Sequence, residues 1–141
     1  MIFEEKIICV VSKDGHRGNK LTLRQYLDGL HVGVDTFGGM QSIPEQRLAT
    51  SQRKRRIAFT VPFHNVAMNM VAGTSLIATM PKRMAMAYAR NQELKIIKAP
   101  KPLDAFSYLM VWHPRMNSDA AHIWLRQIIV KVERTINKTT F

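Results

Sequence analysis

The sequence lacks the features of a disulfide-stabilised or membrane-spanning protein. Its single cysteine, Cys9, rules out an internal disulfide and is typical of a reducing compartment. Cys9 lies in the apolar run 7–11 (IICVV), where a buried thiol is the expected state. No segment approaches the roughly 18 apolar residues that a transmembrane helix needs. The N-terminal MIFEEKIICVV is unlike a secretory signal, because acidic residues precede its short apolar run. These absences predict a cytoplasmic protein without a membrane partner.

Motifs for catalysis and metal binding are also missing. The histidines are His16, His31, His64, His113 and His122. They form no i, i+4 pair, and no second cysteine or carboxylate cluster joins them, which argues against a zinc site. Ser75 and Ser107 lie in strand-like segments without a GxSxG elbow. We therefore expect no catalytic residue, no metal and no cofactor, and the protein is not predicted to be an enzyme.

Acidic residues are scarce relative to basic ones, with 10 Asp and Glu against 21 Lys and Arg and a net charge of +11. An excess of this size raises nucleic acid as a partner. The charge is scattered, however, and the dense run 53–56 (RKRR) has no interleaved aromatic residue for base stacking. A solvated helix C-terminus, where positive charge suits the helix dipole, is the favoured interpretation of this run. Salt-dependent contact with phosphates is the alternative.

The sequence does contain short apolar strands that alternate with helices. Strands are predicted over 7–11, 31–34, 56–61, 75–80, 94–98 and 106–112. Helices are predicted after the capping-box pairs Thr22/Gln25 and Ser42/Glu45, the second running to about residue 52. Further helices are predicted over 66–72, 82–90 and from 121 to 136. This alternation, in a chain of about one domain's length, predicts an α/β fold with a mainly parallel sheet flanked by helices.

Two segments carry a resemblance to a known family. Residues 59–81 form a strand, a turn with Pro62, a short helix, a stop at Gly73 and a second strand. This order puts a helix N-terminus at the end of a parallel strand, where α/β domains hold small ligands. Residues 111–125 (VWHPRMNSDAAHIWL) join a strand to a long amphipathic helix. In this order the segments resemble the C-terminal effector-binding domain of LysR-type transcriptional regulators.

The resemblance implies one lobe of a type 2 periplasmic-binding-protein-like domain, with crossover strands and a C-terminal helix. Residues 1–141 would be a partial effector-binding domain, divided into a crossover strand (1–12), the second lobe (13–102) and a return strand with the C-terminal helix (103–141). Nothing in the sequence resembles the family's DNA-binding module, its linker helix or most of its first lobe. The implied function is small-molecule effector sensing in transcription regulation, with DNA a partner only through a module absent from this chain.

The resemblance also implies where an effector would bind. The implied ligand-binding residues are Pro62, Phe63, His64, Asn65, Gly38 and Gly39. Free backbone N–H groups at a helix start favour a carboxylate, Phe63 would supply an apolar wall, and His64 a titratable donor, so a carboxylate or aromatic acid is the expected effector. An ordinary capped turn is the alternative at 62–65. At the 35–39 turn (DTFGG), which should share the same sheet edge, a purely structural turn is favoured.

The C-terminal helix carries a possible interface. Trp124, Leu125, Ile128 and Ile129 lie on its apolar face, and without a partner lobe this face would be exposed. The residues are therefore predicted to contact either the missing lobe or a second copy, which makes a homodimer or larger homo-oligomer the expected state. A ligand-independent interaction module is the second functional hypothesis, and a basic nucleic-acid-binding domain is the third.

Overall fold

The computed structural model describes residues 1–36, 38–39, 42–49, 53–88 and 93–139. Residues 137–139 are described through their backbone alone. The strands are β1 (Phe3–Ser12), β2 (Leu30–Val34), β3 (Arg56–Val61), β4 (Leu76–Pro81), β5 (Leu94–Lys98) and β6 (Ala105–Tyr108). The helices are α1 (Leu23–Asp28), α2 (Ile43–Arg47), α3 (His64–Val71), α4 (Lys82–Tyr88) and α5 (Ala120–Thr139), with a 3₁₀ turn at Pro114–Met116.

The sheet has the order β3-β2-β4-β1-β5, and β6 pairs with β1. Strand β2 runs parallel to both β3 and β4, whereas β1 runs antiparallel to β4 and β5. The predicted α/β class is confirmed, with the parallel pairing concentrated in β2, β3 and β4. Strand β3 pairs with one side of β2, and the next strand along the chain, β4, pairs with the other side of β2. The direction in which successive strands are added to the sheet therefore reverses between β2 and β4. Such a reversal marks the ligand-binding edge in open α/β sheets.

Strand β1 is buried on both faces, which explains its continuous apolar run. Ile8 and Val10 join one core cluster, with residues of α3 and α4. Cys9 and Val11 point the other way and join a second cluster that includes Tyr26 of α1. The predicted burial of Cys9 is confirmed, and burial raises the pKa of its thiol to about 12. This cysteine is therefore an inert core residue at neutral pH.

The two predicted capping boxes had different outcomes. Thr22 caps α1 as predicted: its hydroxyl accepts from the Gln25 N–H at 3.2 Å, and the Gln25 side chain accepts from the Thr22 N–H at 2.9 Å. Ser42 precedes α2, but its side chain makes no capping hydrogen bond and its hydroxyl has no partner among the described residues. The second capping box was therefore a wrong prediction, although the helix begins at the predicted place.

Three predicted element ends were wrong or cannot be followed. Helix α2 ends at Arg47 instead of continuing to residue 52, which itself lies outside the described residues. The predicted strand 106–112 ends at Tyr108. Helix α4 is described to Tyr88, and residues 89–90 of its predicted span lie outside the described part.

The basic run 53–56 does not end a helix, which corrects the favoured interpretation of it. It leads into β3, and Arg56 is the first residue of that strand. Arg53 pairs with Asp28, and the guanidinium of Arg55 is almost completely buried against Glu45. Half of the run is therefore engaged in ion pairs within the protein.

The chain divides into two compact units, one of residues 5–105 and one of residues 1–4 with 106–141. Strands β2–β5, most of β1 and helices α1–α4 belong to the first unit, whereas residues 3–4 of β1, residues 106–108 of β6 and helix α5 belong to the second. Among the residues that the structure describes, no helix is long and apolar enough to cross a membrane.

Candidate functional site

The carboxyl ends of β2 and β3 bring two predicted ligand-binding turns to one edge of the sheet. Val34 is paired with Val61 in the parallel ladder. One residue further on, the Asp35 N–H donates to the Val61 carbonyl oxygen at 3.0 Å. The turn after β2 and the turn after β3 are therefore neighbours.

The turn after β2 presents bare backbone to its surroundings. Gly38 and Gly39 adopt φ values of +69° and +106°, in the left-handed region that favours glycine. The Gly39 N–H donates to Oδ2 of Asp35 at 2.7 Å, which fixes the turn. A Cβ built at either glycine would meet no heavy atom of the described residues within 4 Å, so these residues leave the backbone of both glycines open to close approach. Residue 37 of this turn lies outside the described residues.

The turn after β3 ends in a helix whose N-terminus has no side-chain cap. Helix α3 begins at His64, two residues earlier than predicted, and Phe63 occupies the cap position, where its side chain cannot accept a hydrogen bond. The Asn65 side chain accepts only from the neighbouring Val66 N–H, at 3.0 Å. The first N–H groups of α3 have no acceptor within the helix, as at any helix start. Because the Val66 N–H already donates to Asn65, the N–H groups of His64 and Asn65 are the donors available to an anionic group.

Phe63 and His64 give this turn an apolar and a polar side chain. Phe63 is 60% exposed, which is unusual for a phenylalanine in a domain with a formed core. His64 is half-buried, and this burial lowers the pKa of its imidazole below the ordinary value. The imidazole is therefore neutral at pH 7 and can donate one hydrogen bond.

The carboxyl end of β4 lies on the same edge of the sheet. Next to it, Glu5 and Arg83 form an ion pair that the sequence did not predict. Glu5 of β1 is buried, and its carboxylate lies 3.2 Å from Nε of Arg83 at the start of α4. The segment MIFEEKII shows two adjacent acids before an apolar run, and either could have been solvated. Only the pairing of β1 with β4 identifies Glu5 as the buried one.

A pocket of about 350 Å³ lies at the opposite edge of the sheet, lined in part by Ser12, Gln25 and Asp28. These polar groups already have partners. The Ser12 hydroxyl accepts from the Gly73 N–H, Gln25 completes the cap of α1, and Asp28 pairs with Arg24 and Arg53. This pocket is the alternative to the β2–β3 edge as a candidate ligand-binding site. Within the described part of the chain, no three His, Cys, Asp or Glu side chains gather as a metal site.

In the second unit, Arg126 connects two segments of the sequence, residues 112–115 (WHPR) and residues 124–126 (WLR). Its guanidinium donates to the Met116 carbonyl oxygen at 3.1 Å and lies 4.5 Å from the centre of the Trp112 ring. The Trp112 indole N–H in turn donates to Oδ1 of Asn117 at 2.8 Å. The arginine of the helix thereby holds the preceding turn, and the two motifs form one folded element.

The predicted interface residues lie on a face of α5 that is largely open. Trp124 is 63% exposed, Leu125 and Ile129 are also exposed, and Ile128 is half-buried. Val132 and Ile136 extend the exposed apolar face along the helix. These residues belong to the second unit, whereas the β2–β3 edge belongs to the first.

A mixed α/β sheet with two open turns at one edge, entered by an antiparallel strand, is the architecture of a periplasmic-binding-protein-like lobe. The sequence profile of the LysR substrate binding domain matches residues 1–134, and the chain belongs to that family. The family resemblance inferred from the sequence is thereby confirmed.

Individual relatives agree with this assignment. Nodulation protein D 3 of Mesorhizobium japonicum is 35% identical over 132 residues, which cover 92% of this chain and 44% of that protein. The chain spans less than half the length of the curated relatives it matches.

Solved structures show the same fold. The regulatory domain of MexT, a transcriptional activator in Pseudomonas aeruginosa, matches with a TM-score of 0.68 and 25% identity, over 92% of this chain and 62% of that one. The effector-binding domain of QuiR, solved in complex with shikimate, matches with a TM-score of 0.65 over 95% of this chain and 64% of that one. The identity with QuiR is 14%, so that likeness concerns the fold alone.

Proposed function

We propose that this chain is the small-molecule effector-sensing part of a LysR-type transcriptional regulator and that it is not an enzyme. Membership of the LysR substrate-binding family supports the proposal. In this proposal, residues 1–12 are a crossover strand, 13–102 the second lobe, and 103–141 the return strand and C-terminal helix. DNA is contacted through a segment that these 141 residues do not contain. A cytoplasmic location follows, since the regulator must reach DNA.

The proposed effector is a small carboxylate, including aromatic acids, bound at the carboxyl ends of β2 and β3. One observation carries this choice: the uncapped first turn of α3 lies beside the exposed ring of Phe63. N–H groups at a helix start bind anions, and an exposed ring offers an apolar surface to the rest of the ligand. The open backbone at Gly38 and Gly39 and the neutral imidazole of His64 complete the set. The ligand of QuiR, shikimate, is itself a carboxylate.

The effector would act by shifting an equilibrium between two arrangements of the regulator. A ligand changes such an equilibrium only by the difference between its affinities for the two states. A ligand that contacts both this edge and a second lobe in the closed arrangement would therefore favour closure.

Titration calorimetry with benzoate, shikimate and their uncharged amide analogues tests this site. We expect the carboxylates to bind the wild-type chain more tightly than the amides. Phe63→Ala and His64→Ala should each weaken binding about tenfold, equivalent to about 1.4 kcal/mol. Phe59→Ala is the matched control, because Phe59 is also an exposed ring but belongs to β3, outside the turn of residues 62–65. Binding that survives both site substitutions unchanged would disprove the assignment.

We propose homo-oligomerisation as a second function, because the apolar face of α5 is exposed. A continuous apolar face of this kind is a common basis for self-association. Sedimentation velocity should show a dimer or larger species that the double substitution of Leu125 and Ile129 by lysine converts to a monomer. Gln127→Lys is the control, because it adds charge at a polar position of the same helix. A wild-type chain that stays monomeric over a wide concentration range would contradict this proposal.

A further inference from the structure

Among the described residues, the buried carboxylate of Glu5 contacts a single residue of another element, Arg83. Glu5 is 3% exposed although it is charged. Its Oε1 accepts a hydrogen bond from the backbone N–H of Arg83 at 3.2 Å, and its Oε2 lies 3.2 Å from Nε of the same arginine. One carboxylate thus holds both the main chain and the side chain of Arg83.

The register of the sheet explains why Glu5 meets Arg83. The antiparallel ladder between β1 and β4 pairs Ile7 with Pro81, and continuing it by two residues would bring Glu5 opposite Arg83. At that point the chain has already turned into α4, which begins at Lys82. The Glu5 side chain therefore replaces the backbone pairing that the turn removes. Removing Arg83 from this pair would leave the Glu5 carboxylate as an uncompensated buried charge, so the contact is a firm one.

The pair lies where two functional parts of the molecule meet in sequence. Residue 5 is where the chain enters the unit of residues 5–105, and it belongs to the strand that crosses from the other unit. Helix α4 follows directly from the carboxyl end of β4, the strand beside β2 at the proposed effector edge. A shift of the first turn of α4 would therefore disturb the contact that this turn makes with Glu5 of β1.

We propose that Glu5 is a positioning residue that couples the effector edge to the crossover strand, an inference that rests on the proposed sensing function. A ligand that orders the start of α4 also orders the beginning of β1 through the Glu5–Arg83 contact. By thermodynamic reciprocity, disturbing either end of this contact loosens both segments by the same factor.

The other crossing of the chain provides a matched control. Arg47, the last residue of α2, donates to the carbonyl oxygen of Ala105 at 2.9 Å, and residue 105 is where the chain leaves the same unit. This contact also holds a crossing strand, β6, which pairs with β1, but it involves neither α4 nor Glu5. Arg47→Met therefore shows the effect of releasing a crossing strand while the Glu5–Arg83 contact stays in place.

Hydrogen exchange of the full chain, first without ligand, tests the coupling. In Glu5→Gln and in Arg83→Met, the amides of residues 3–8 and of 83–86 should both exchange at least about tenfold faster, with matching factors. Arg47→Met, whose contact does not involve α4, should leave the exchange of residues 83–86 within about threefold of the wild type. The double variant E5Q/R83M replaces the ion pair with groups that tolerate burial, so it keeps a folded chain available. In this variant the two segments should exchange independently of each other. Faster exchange in one segment alone, or persistent coupling in the double variant, would overturn the proposal.

The same measurement with benzoate and shikimate separates this inference from the proposed function. In the wild-type chain, a carboxylate that binds should slow exchange in both segments. In E5Q it should bind within about threefold of the wild-type affinity and protect residues 83–86 but not 3–8. Protection of residues 3–8 that persists in E5Q would show that Glu5 does not transmit the signal. If neither carboxylate binds the wild type, the sensing function fails, while the ligand-free arm still decides the role of Glu5.

Discussion

His31 is the most deeply buried titratable residue whose charge matters near neutral pH. Its side chain is fully buried, with the ring centre 4.4 Å from that of Tyr26. Because Nε2 lies 2.6 Å from the Tyr26 carbonyl oxygen, Nε2 carries the proton and donates it. Nδ1 has no partner among the described residues. Burial, with Arg55 nearby, lowers the pKa of His31 to about 4, so the imidazole is neutral in the folded protein.

This depressed pKa predicts a stability that depends on pH. The unfolded chain binds a proton at the ordinary pKa of 6.5, whereas the folded chain binds it only at about 4. The contribution of His31 is therefore fully present above pH 6.5 and lost as the pH falls to 4, by about 3 kcal/mol. Urea unfolding at several pH values should show that this dependence is flatter in His31→Phe. His16→Gln, which changes a partly exposed histidine, is the control, and a slope in His31→Phe as steep as that of the wild type would refute this account.

Arg55 shows how a residue in a basic run can belong to the folded interior. Its side chain is 5% exposed, and its guanidinium donates to Oε1 of Glu45 from Nε at 2.8 Å and to the Tyr26 hydroxyl at 3.2 Å. Lys54, the preceding residue, is exposed. The two neighbours therefore have different structural roles despite their common charge.

Substituting these neighbours should separate the two roles. Arg55→Met should lower the free energy of unfolding by about 1–3 kcal/mol, since it leaves Glu45 and Tyr26 without their donor. The low end is expected, because the side chain of Glu45 is 37% exposed and water can replace part of the interaction. Lys54→Met should change it by less than about 0.5 kcal/mol. Equal effects in chemical denaturation would mean that Arg55 is not a structural residue.

Among the elements, the helix starts of α1 and α2 offer a direct comparison of capping. Thr22 makes both hydrogen bonds of its capping box, whereas Ser42 makes none with its side chain. Thr22→Ala should therefore destabilise the protein by about 1 kcal/mol. Ser42→Ala should be nearly neutral, because its hydroxyl is buried without a partner among the described residues. Thermal unfolding of the two variants side by side checks this, and a larger loss for Ser42→Ala would contradict it.

The elements also show which kinds of structure the sequence could predict. Strands β3 and β5 have their predicted bounds, because continuous apolar or β-branched runs end at prolines or polar residues. Helix α2 is shorter than predicted, because capping spacing marks where a helix begins and carries no information about where tertiary packing ends it. The strand predicted over 106–112 ends early because residues 109–113 belong with the turn that Arg126 holds, a contact between residues distant in sequence.

The sequence predicted the two turns of the candidate site and placed them on one edge of the sheet, but it did not predict that they are neighbours. The turn residues 62–65 and 38–39 could be named from proline, glycine and the strand pattern, together with the family resemblance. Their proximity depends on the pairing of β2 with β3, which a single sequence does not specify. The Glu5–Arg83 pair was missed for the same reason, since it joins residues 78 positions apart through the register of β1 and β4.

At the scale of the whole molecule, the net charge of +11 is not evidence for a nucleic-acid surface. Arg53, Arg55 and Arg83 form ion pairs with Asp28, Glu45 and Glu5, and Arg126 holds a turn. Base stacking would further require aromatic residues among the cations, and none occur in the run 53–56. Each ion pair joins one basic to one acidic residue and leaves the net charge unchanged, so the excess of +11 lies in basic residues scattered along the sequence.

The central claim is that a carboxylate effector binds at the carboxyl ends of β2 and β3. The most direct test is an NMR titration of the ¹⁵N-labelled chain with benzoate and shikimate, following every assigned backbone amide. The account predicts that the largest shifts occur at Gly38, Gly39, His64 and Asn65, and that Phe63→Ala reduces them together. Shifts centred instead on the opposite pocket, near Ser12 and Gln25, would contradict it.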